Sequence, residues 1–233
     1  ALRYGNPSLF IDKSAEMLEE KKRLFSAIRK LAVIGVSQWV TEDAKRSILK
    51  NAYTIKCIYN WIDLENFKPQ NRTDLKEKAG YSGKFLILGI AMCWNRQKGI
   101  DIFHNLANIL PEDFLIILVG DASEIKIKNP KIKYLGTLKD TLAIRNLYAM
   151  ADVFVNPTIQ ETFGKTTAEA LSCGTPVIAY NGTATPELIG TDASCGFLID
   201  NNTAENYKEK ILQLKRTGTE TMCYNARSRA EKL

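Results

Sequence analysis

The amino-acid sequence predicts an α/β fold built on a doubly wound parallel sheet. Three observations support this fold class: apolar runs of strand length recur after residue 83, they lack the alternation of half-exposed strands, and segments with helical spacing separate them. Strands that are apolar on both faces are typical of a parallel sheet covered by helices on both sides. The length of 233 residues suffices for one large domain, or for one domain and part of another.

The part of the chain before residue 63 predicts a short α/β segment. Residues 14–32 carry apolar side chains three and four positions apart, which indicates an amphipathic helix. An apolar strand is expected over 32–37, with Ser37 at the N-cap position of a helix over 38–50. Residues 54–62 complete this segment as a further strand.

A polar stretch separates this segment from a longer and more regular one. Residues 63–83 contain Pro69, Gly80 and Gly83, and we expect them to form a linker at a domain boundary. Residues 217–233 are expected to form a C-terminal helix or tail. Between these stretches, the expected strands are 84–92, 114–120, 132–136, 152–157, 175–180 and 196–199, and the expected helices are 99–110, 142–151, 167–173 and 204–216.

Composition argues against several classes of protein. The longest apolar runs fall short of the roughly 20 residues that a membrane-spanning helix needs, and the first ten residues lack the pattern of a signal peptide. The five cysteines form no C-x-x-C pair and the chain has one histidine, so we expect no metal site and free thiols in a reducing cytoplasm. The chain begins with Ala, which leads us to expect a processed, trimmed or partial version of a longer protein.

Positive charge is concentrated near the N-terminus. The formal charge is +6, and residues 1–60 hold 11 Lys and Arg against 6 Asp and Glu. Such a segment suits an anionic membrane surface, a phosphorylated ligand, nucleic acid or simply a solvated helix face. We expect no nucleic-acid partner, because the sequence lacks aromatic residues interleaved with basic ones and any known nucleic-acid-binding module.

One loop at the expected carboxyl ends of the strands has the features of a ligand site. In QETFGKTTAEAL (160–171), Gly164 permits a tight backbone path into a helix that begins near Thr166. The N–H groups of Lys165, Thr166 and Thr167 would then point out of the helix start. Together with the helix dipole, these groups form an anion site suited to phosphate. The P-loop pattern is missing, which argues against a P-loop kinase or ATPase.

Two carboxylates, Glu161 and Glu169, flank this loop. Each could accept hydrogen bonds from both hydroxyls of a ribose or of a sugar cis-diol. Lys98 and Arg96, one strand away, could supply the cations that a neighbouring diphosphate requires. Taken alone, the two carboxylates are also explained as a solvated loop residue and a helix residue favoured by the dipole.

The motifs around this loop resemble, in order and spacing, the C-terminal half of the family 4 glycosyltransferases, which have the two-domain GT-B fold. The resemblance covers roughly residues 30–216 and implies a Rossmann-like donor-binding domain at 84–216 and a remnant of the N-terminal, acceptor-side domain at 1–62. The motifs are YNWIDLENFKP (59–69), KGIDIF (98–103), YLGTL (134–138), LYAMADVFVNPT (147–158), ETFGKTTAEALSCGTPVIAYNGTATPEL (161–188) and CGFLID (195–200).

The resemblance implies a role for each candidate residue. Two residues are matched to the chemistry of transfer: Glu161 to the contact with the donor-sugar hydroxyls and Lys98 to the neutralisation of the diphosphate. Glu169 is matched to the ribose hydroxyls of the nucleotide. Tyr134 and Leu135 are matched to a strand end whose backbone meets the nucleobase.

The same resemblance implies that the glycine loop holds sugar and phosphate. Phe163, Gly164 and Lys165 match the loop whose N–H groups approach these parts of the donor. Thr166 and Thr167 match the helix start beside the diphosphate.

The sequence departs from the family pattern at two places. Cys93 falls near the position of an arginine that is a second phosphate ligand in many members, and we expect Arg96 to substitute for it. At 59–62 the chain has Tyr-Asn-Trp-Ile in place of the more usual Pro-Asn-Gly-Val/Ile, a change to which we assign no chemistry.

The function implied by the resemblance is transfer of a hexosyl-type sugar from a UDP-, GDP- or ADP-linked donor, with retained configuration and without metal or other cofactor. The implied acceptor is a glycan or a lipid-linked glycan in bacterial surface-polysaccharide biosynthesis, and the implied location is the cytoplasm with peripheral contact at the inner membrane face. Because one of the two domains is largely missing, we expect the chain to supply the donor-binding half only. A non-catalytic nucleotide-binding module, and a sugar phosphorylase or epimerase with a related sheet, stay open as alternatives.

Overall fold

The computed structural model describes residues 12–122 and 129–233. The chain divides into two compact units between Ile58 and Tyr59. Residues 63–83, which the sequence predicts as a linker, belong to the second unit. The boundary therefore lies a few residues ahead of the expected stretch.

The first unit contains two helices and two strands in its described part: α1 (Ser14–Ser26), β1 (Ala32–Gly35), α2 (Gln38–Arg46) and β2 (Thr54–Cys57). The strands pair in parallel with Ala32 opposite Thr54. β2 is shorter than expected because β1 offers a ladder of only four residues. The predicted N-cap is confirmed, since the Ser37 Oγ accepts a hydrogen bond from the Val40 N–H at 3.1 Å.

The second unit contains the remaining elements, and every strand that the sequence predicts after residue 83 is present. Arg96–Lys98 form one turn of 3-10 helix. The strands are β3 (Phe85–Cys93), β4 (Phe114–Asp121), β5 (Ile132–Tyr134), β6 (Val153–Asn156), β7 (Val177–Tyr180) and β8 (Gly196–Ile199). The helices are α3 (Arg72–Lys78), α4 (Ile100–Ile109), α5 (Thr141–Met150), α6 (Lys165–Ser172), α7 (Thr185–Ile189), α8 (Ala204–Thr217) and α9 (Glu220–Ala230).

The strands of the second unit form one parallel sheet in the order β5-β4-β3-β6-β7-β8. The chain builds outward from β3 to β5, then returns to the centre and builds outward again from β6 to β8. This is the doubly wound order, and its direction reverses between β3 and β6. The predicted fold class is therefore confirmed, and it places a ligand crevice at the carboxyl ends of β3 and β6.

The central strands are buried on both faces, as their unbroken apolar sequences predict. Ile87 belongs to a buried cluster that includes Phe103 of α4 and Ile211 of α8. Leu86 and Leu88 point to the other face because side chains alternate along a strand, and both are at most 1% exposed. Helices cover both faces, so the sheet forms the middle layer of the unit.

Two charged side chains fasten the segment 63–83 and the C-terminal helix to this unit. Lys76 of α3 forms an ion pair with the buried Asp152, which also accepts a hydrogen bond from the Leu86 N–H. Arg227 of α9 donates to backbone carbonyls, including those of Phe67 and Ser172. The stretch predicted as a linker is thus packed structure, and α9 extends the unit beyond residue 216.

Candidate functional site

Two loops meet where the sheet order reverses. One follows β3 and the other follows β6, and the Ile159 N–H donates to the Gln97 carbonyl at 3.1 Å. Gly99 has a φ of +74°, and a Cβ there would lie 2.3 Å from a Pro157 side-chain carbon. Only glycine therefore allows this close approach of the two loops.

The two loops bring together Lys98 and Glu161, which are 63 residues apart in sequence. The Lys98 Nζ lies 3.0 Å from the Glu161 Oε1, and both side chains are partly buried. The backbone of each residue is also fixed: the Lys98 N–H donates to the Asn95 Oδ1 and the Glu161 N–H donates to the Thr183 Oγ1, both at 2.9 Å. The two residues predicted for the chemistry of transfer thus form one ion pair at the switch point.

The glycine loop leads into α6 as the sequence predicts, with the helix starting one residue early. Gly164 has a φ of +93° at the N-cap, and Phe163 is 2% exposed and lies 5.9 Å from the ring of Tyr59. The Ala168 N–H donates to the Gly164 carbonyl. The N–H groups of residues 165–167 precede this first intrahelical bond, so they are available to an anion.

The side chains at this helix start have different surroundings. Lys165 is exposed and Thr166 is half-buried. Thr167 is 1% exposed, and its Oγ1 accepts a hydrogen bond from the Asn156 Nδ2 at 3.0 Å. Asn156, which the sequence reasoning did not single out, ends β6 and also accepts from the Thr158 N–H. The signal for Asn156 was its place in the motif ADVFVNPT.

Glu169 lies in the second turn of α6, and its carboxylate is largely buried. Its Oε2 accepts a hydrogen bond from the Tyr148 hydroxyl at 3.0 Å. Burial raises the pKa of Glu169, while the Tyr148 hydrogen bond and the nearby Lys165 act to lower it. Burial, followed by the neighbouring Glu169, raises the pKa of Tyr148 well above its usual value, so its hydroxyl is a donor. Sequence reasoning missed Tyr148, although it lies in the motif LYAMADVFVNPT.

The residues predicted to meet a nucleobase lie at one edge of the sheet. Tyr134 ends β5, the edge strand, and its hydroxyl donates to the Gly120 carbonyl and accepts from the Ala122 N–H. The Leu135 N–H donates to the Leu118 carbonyl of β4. Since backbone groups of successive residues in a strand point to opposite sides, those of Tyr134 face the open edge.

Arg96 is placed differently from Lys98. Its guanidinium is exposed and lies 3.5 Å from the Asp101 carboxylate of α4. Cys93, which the resemblance places near the expected position of a second phosphate ligand, is also exposed. A phosphate role for Arg96 stays a prediction.

Two further findings concern metals and membranes. In the parts of the chain that the structure describes, 12–122 and 129–233, no group of three or more His, Cys, Asp or Glu could hold a metal ion. Across the same residues, every helix is too short or too polar to cross a bilayer.

A doubly wound sheet with a glycine-led helix start and two carboxylates at its switch point defines a Rossmann-like ligand-binding domain. Residues 84–216 match the family described as Glycosyl transferases group 1, and the chain belongs to that family. Over 178 residues, or 72% of the chain, it is 28% identical to N-acetyl-alpha-D-glucosaminyl L-malate synthase of Bacillus anthracis, of which the match covers 46%. Over 82 residues, or 35% of the chain, it is 40% identical to O-antigen chain mannosyltransferase B of Escherichia coli, covering 20% of it.

The solved structures give the same fold. HepE of Anabaena, crystallised in complex with UDP and glucose, matches with a TM-score of 0.76 at 23% identity, over 94% of this chain and 63% of that one. The expected C-terminal domain of a GT-B glycosyltransferase is therefore confirmed. The chain spans less than half the length of each of these two curated relatives.

Proposed function

We propose that this chain binds the nucleotide-sugar donor of a glycosyltransferase that transfers a sugar with retained configuration. The observation that carries the proposal is the arrangement at the switch point: the Lys98–Glu161 pair on one side, the free start of α6 beside it, and Glu169 one turn further along. The complex of Anabaena HepE with UDP and glucose supports the choice of ligand.

The diphosphate of the donor would face a cation and a helix dipole. An ammonium group has three donors, and Glu161 accepts from Lys98, so further donors can reach phosphate oxygens. The free N–H groups at the start of α6 add fixed dipoles aimed at the same oxygens. As the sugar–phosphate bond breaks, negative charge grows on the leaving diphosphate, and these groups stabilise it without reorganising. We therefore propose a reaction that needs no metal or other cofactor.

The sugar and the ribose would each meet one carboxylate. Glu161 binds Lys98 through Oε1, which leaves Oε2 to accept from a hydroxyl of the donor sugar. In this proposal Glu161 positions the sugar and is not the nucleophile. Glu169 receives the ribose hydroxyls, and the backbone at Tyr134 receives the base. Because backbone groups would recognise the base, no side chain distinguishes one base from another. UDP, GDP and ADP are therefore all candidate carriers of the sugar.

The proposed acceptor is a glycan or a lipid-linked glycan in surface-polysaccharide biosynthesis, and the proposed location is the cytoplasm at the inner membrane face. The Escherichia coli relative is named for the O-antigen chain, which supports this setting. The first unit adds exposed cations that could bind anionic lipid. They are Lys13, Lys21, Lys22, Arg23, Arg29 and Lys30. Co-sedimentation with anionic and with neutral vesicles at low salt tests this part, and equal binding to both would contradict it.

The second unit holds the donor-site residues, so we propose that the chain binds the donor without transferring sugar by itself. Titration calorimetry of the chain with UDP, GDP and ADP tests the donor site. At least one should bind more tightly than about millimolar, an affinity of about −4 kcal/mol. Glu169→Ala should weaken that binding, while Lys78→Ala, at an exposed position of α3, should not. Three nucleotides that all bind more weakly than millimolar would contradict the proposal.

Retention needs a separate test on a protein that includes both domains of the fold. The anomeric configuration of the transferred sugar, measured by NMR on the product, should equal that of the donor. An inverted product would reject retention and leave donor binding untouched.

A further inference from the structure

A fully buried tyrosine donates a hydrogen bond to the carboxylate proposed to hold the ribose. Tyr148 lies on α5 and Glu169 on α6, and their side chains meet with the Tyr148 hydroxyl 3.0 Å from the Glu169 Oε2. Tyr148 is 0% exposed. A ligand in the crevice therefore reaches Glu169 but has no access to the Tyr148 ring.

The surrounding residues hold the tyrosine in one orientation. Its ring lies edge-on to Phe67 at 6.0 Å and to Phe154 at 5.5 Å between ring centroids. The Thr175 Oγ1 donates to its backbone carbonyl at 2.6 Å. With ring and backbone both fixed, the hydroxyl is a donor in a set place, and the flexible Glu169 side chain is the partner that becomes oriented.

The direction of this hydrogen bond determines what Glu169 can offer a ligand. An ionised carboxylate only accepts, and it has two oxygens. The Tyr148 hydroxyl occupies one acceptor site on Oε2, so Oε1 and the second site on Oε2 can accept from a ligand. A donor to the charged form also opposes the protonation that burial favours. Both effects keep Glu169 in the state that accepts hydrogen bonds from hydroxyl groups.

We propose that Tyr148 is a positioning residue that aims the Glu169 carboxylate at the two hydroxyls of the nucleotide ribose. This inference rests on the proposed function, because it takes Glu169 as the ribose-binding group. Tyr148 acts through Glu169 and does not touch the ligand. Its loss should therefore affect only ligands that carry ribose hydroxyls.

The test compares a nucleotide with its 2′,3′-dideoxy form in the Tyr148→Phe variant. The probe is whichever of UDP, GDP and ADP binds the wild-type chain best, measured by calorimetry. We expect Tyr148→Phe to weaken the ribonucleotide about tenfold, as loss of a hydrogen bond to a charged group implies, and the dideoxy form less than about twofold. Equal weakening of both forms, or of neither, would overturn the inference.

Ser172→Ala is a matched control, because it removes a buried hydroxyl that donates to the Ala168 carbonyl within α6 and leaves the contact between Tyr148 and Glu169 intact. It should leave the preference for the ribonucleotide unchanged, and a loss as large as that in Tyr148→Phe would assign the effect to packing. Thermal unfolding checks that both variants are folded. If Tyr148→Phe is unfolded, Glu169→Gln replaces it. Tyr148 should then hold the amide oxygen and turn the amide nitrogen to the ligand, so a wild-type ribose preference in Glu169→Gln would reject the inference.

Glu169→Ala separates this inference from the proposed function. If Glu169→Ala keeps the wild-type preference for the ribonucleotide, the ribose role of Glu169 fails and Tyr148 has nothing to position. If Glu169→Ala abolishes the preference while Tyr148→Phe retains it, only the present inference fails. In the Glu169→Ala background, Tyr148→Phe should have no further effect on ribonucleotide affinity.

The pH dependence of binding gives a readout that packing alone would not change. The groups near Glu169 are Tyr148 on α5, Lys165 at the start of α6 and Cys173, which directly follows α6. Burial raises the pKa of Cys173 to about 12, so this thiol stays neutral over the useful range. Without the Tyr148 donor the pKa of Glu169 should rise further, and ribonucleotide binding should be lost at a higher pH than in wild type. An unchanged acid limb would contradict the proposal.

Discussion

Lys98→Met tests the Lys98–Glu161 pair, because methionine keeps much of the apolar chain of Lys98 and removes the charge. At 3.0 Å and an effective dielectric of about 20, the Coulomb energy of the pair is about 5–6 kcal/mol before desolvation is counted. The pair is only partly buried, with 34% of the Lys98 side chain and 16% of the Glu161 side chain exposed. The net contribution of the pair to stability should lie between those of a surface and a buried ion pair. We therefore expect Lys98→Met to lower the free energy of unfolding by about 1–2 kcal/mol in urea denaturation.

Lys98→Met should affect nucleotide binding more than it affects stability, and only for ligands that carry phosphate. If Lys98 contacts the diphosphate, Lys98→Met loses a charge-assisted hydrogen bond worth about 1.5–3 kcal/mol, or roughly 10- to 100-fold in affinity for the nucleoside diphosphate. The matching nucleoside, which lacks phosphate, should bind both proteins equally in the same calorimetric assay. Glu161→Gln should instead free Lys98 and leave diphosphate affinity unchanged or higher. A Lys98→Met chain that binds the diphosphate as wild type does would refute the phosphate role.

The remaining predictions concern the glycine loop, the buried carboxylate and the thiols. Gly164→Ala should destabilise the chain by about 1–2 kcal/mol in urea unfolding, because its φ is +93° and a Cβ would lie 3.1 Å from a Leu188 carbon. Gly80→Ala should destabilise the chain less, because Gly80 also has a positive φ but an added Cβ would lie in open space. Because the folded-state pKa of Glu169 is raised above its usual 4.5, the stability it contributes is present at low pH and lost as pH rises through the folded-state value. Glu169→Gln should therefore have a higher urea midpoint than wild type at pH 7, and the difference should disappear at pH 4. Mass spectrometry after alkylation at pH 8 should find exposed Cys93 modified and buried Cys173 intact, since burial raises the pKa of Cys173 to about 12.

The strands and the fold class could be predicted from the sequence because strands that are buried on both faces consist of unbroken runs of apolar residues. The apolar runs at 84–92 and 114–120 became β3 and β4 with ends shifted by one residue. α7 was missed because it has only five residues and contains Pro186, too short for a periodic pattern. The expected helix over 14–32 ended at Ser26, and none of its 13 residues is buried, so apolar spacing alone did not fix its length.

The sequence reasoning named several residues that the structure brings together, but it predicted neither their contacts nor two of their partners, Asn156 and Tyr148. The loop with Gly164 and the two glutamates follows from local chemistry and from the family resemblance. The Lys98–Glu161 pair joins the loops after two neighbouring strands, β3 and β6, and no local pattern encodes a contact between residues 63 positions apart. Tyr148 gave no signal as a functional residue, because a buried tyrosine on a helix is indistinguishable in sequence from an ordinary core residue.

The contact between Gly99 and Pro157 has a consequence for how tightly the crevice can hold a ligand. These residues belong to the loops after β3 and β6, and the space between them is smaller than a methyl group. The two loops follow the neighbouring central strands β3 and β6, and their backbones are already too close at Gly99 and Pro157 to approach further. The backbones that carry Lys98 and Glu161 are therefore held close together by this contact. Little ordering is left for binding to impose, which favours affinity by preorganisation.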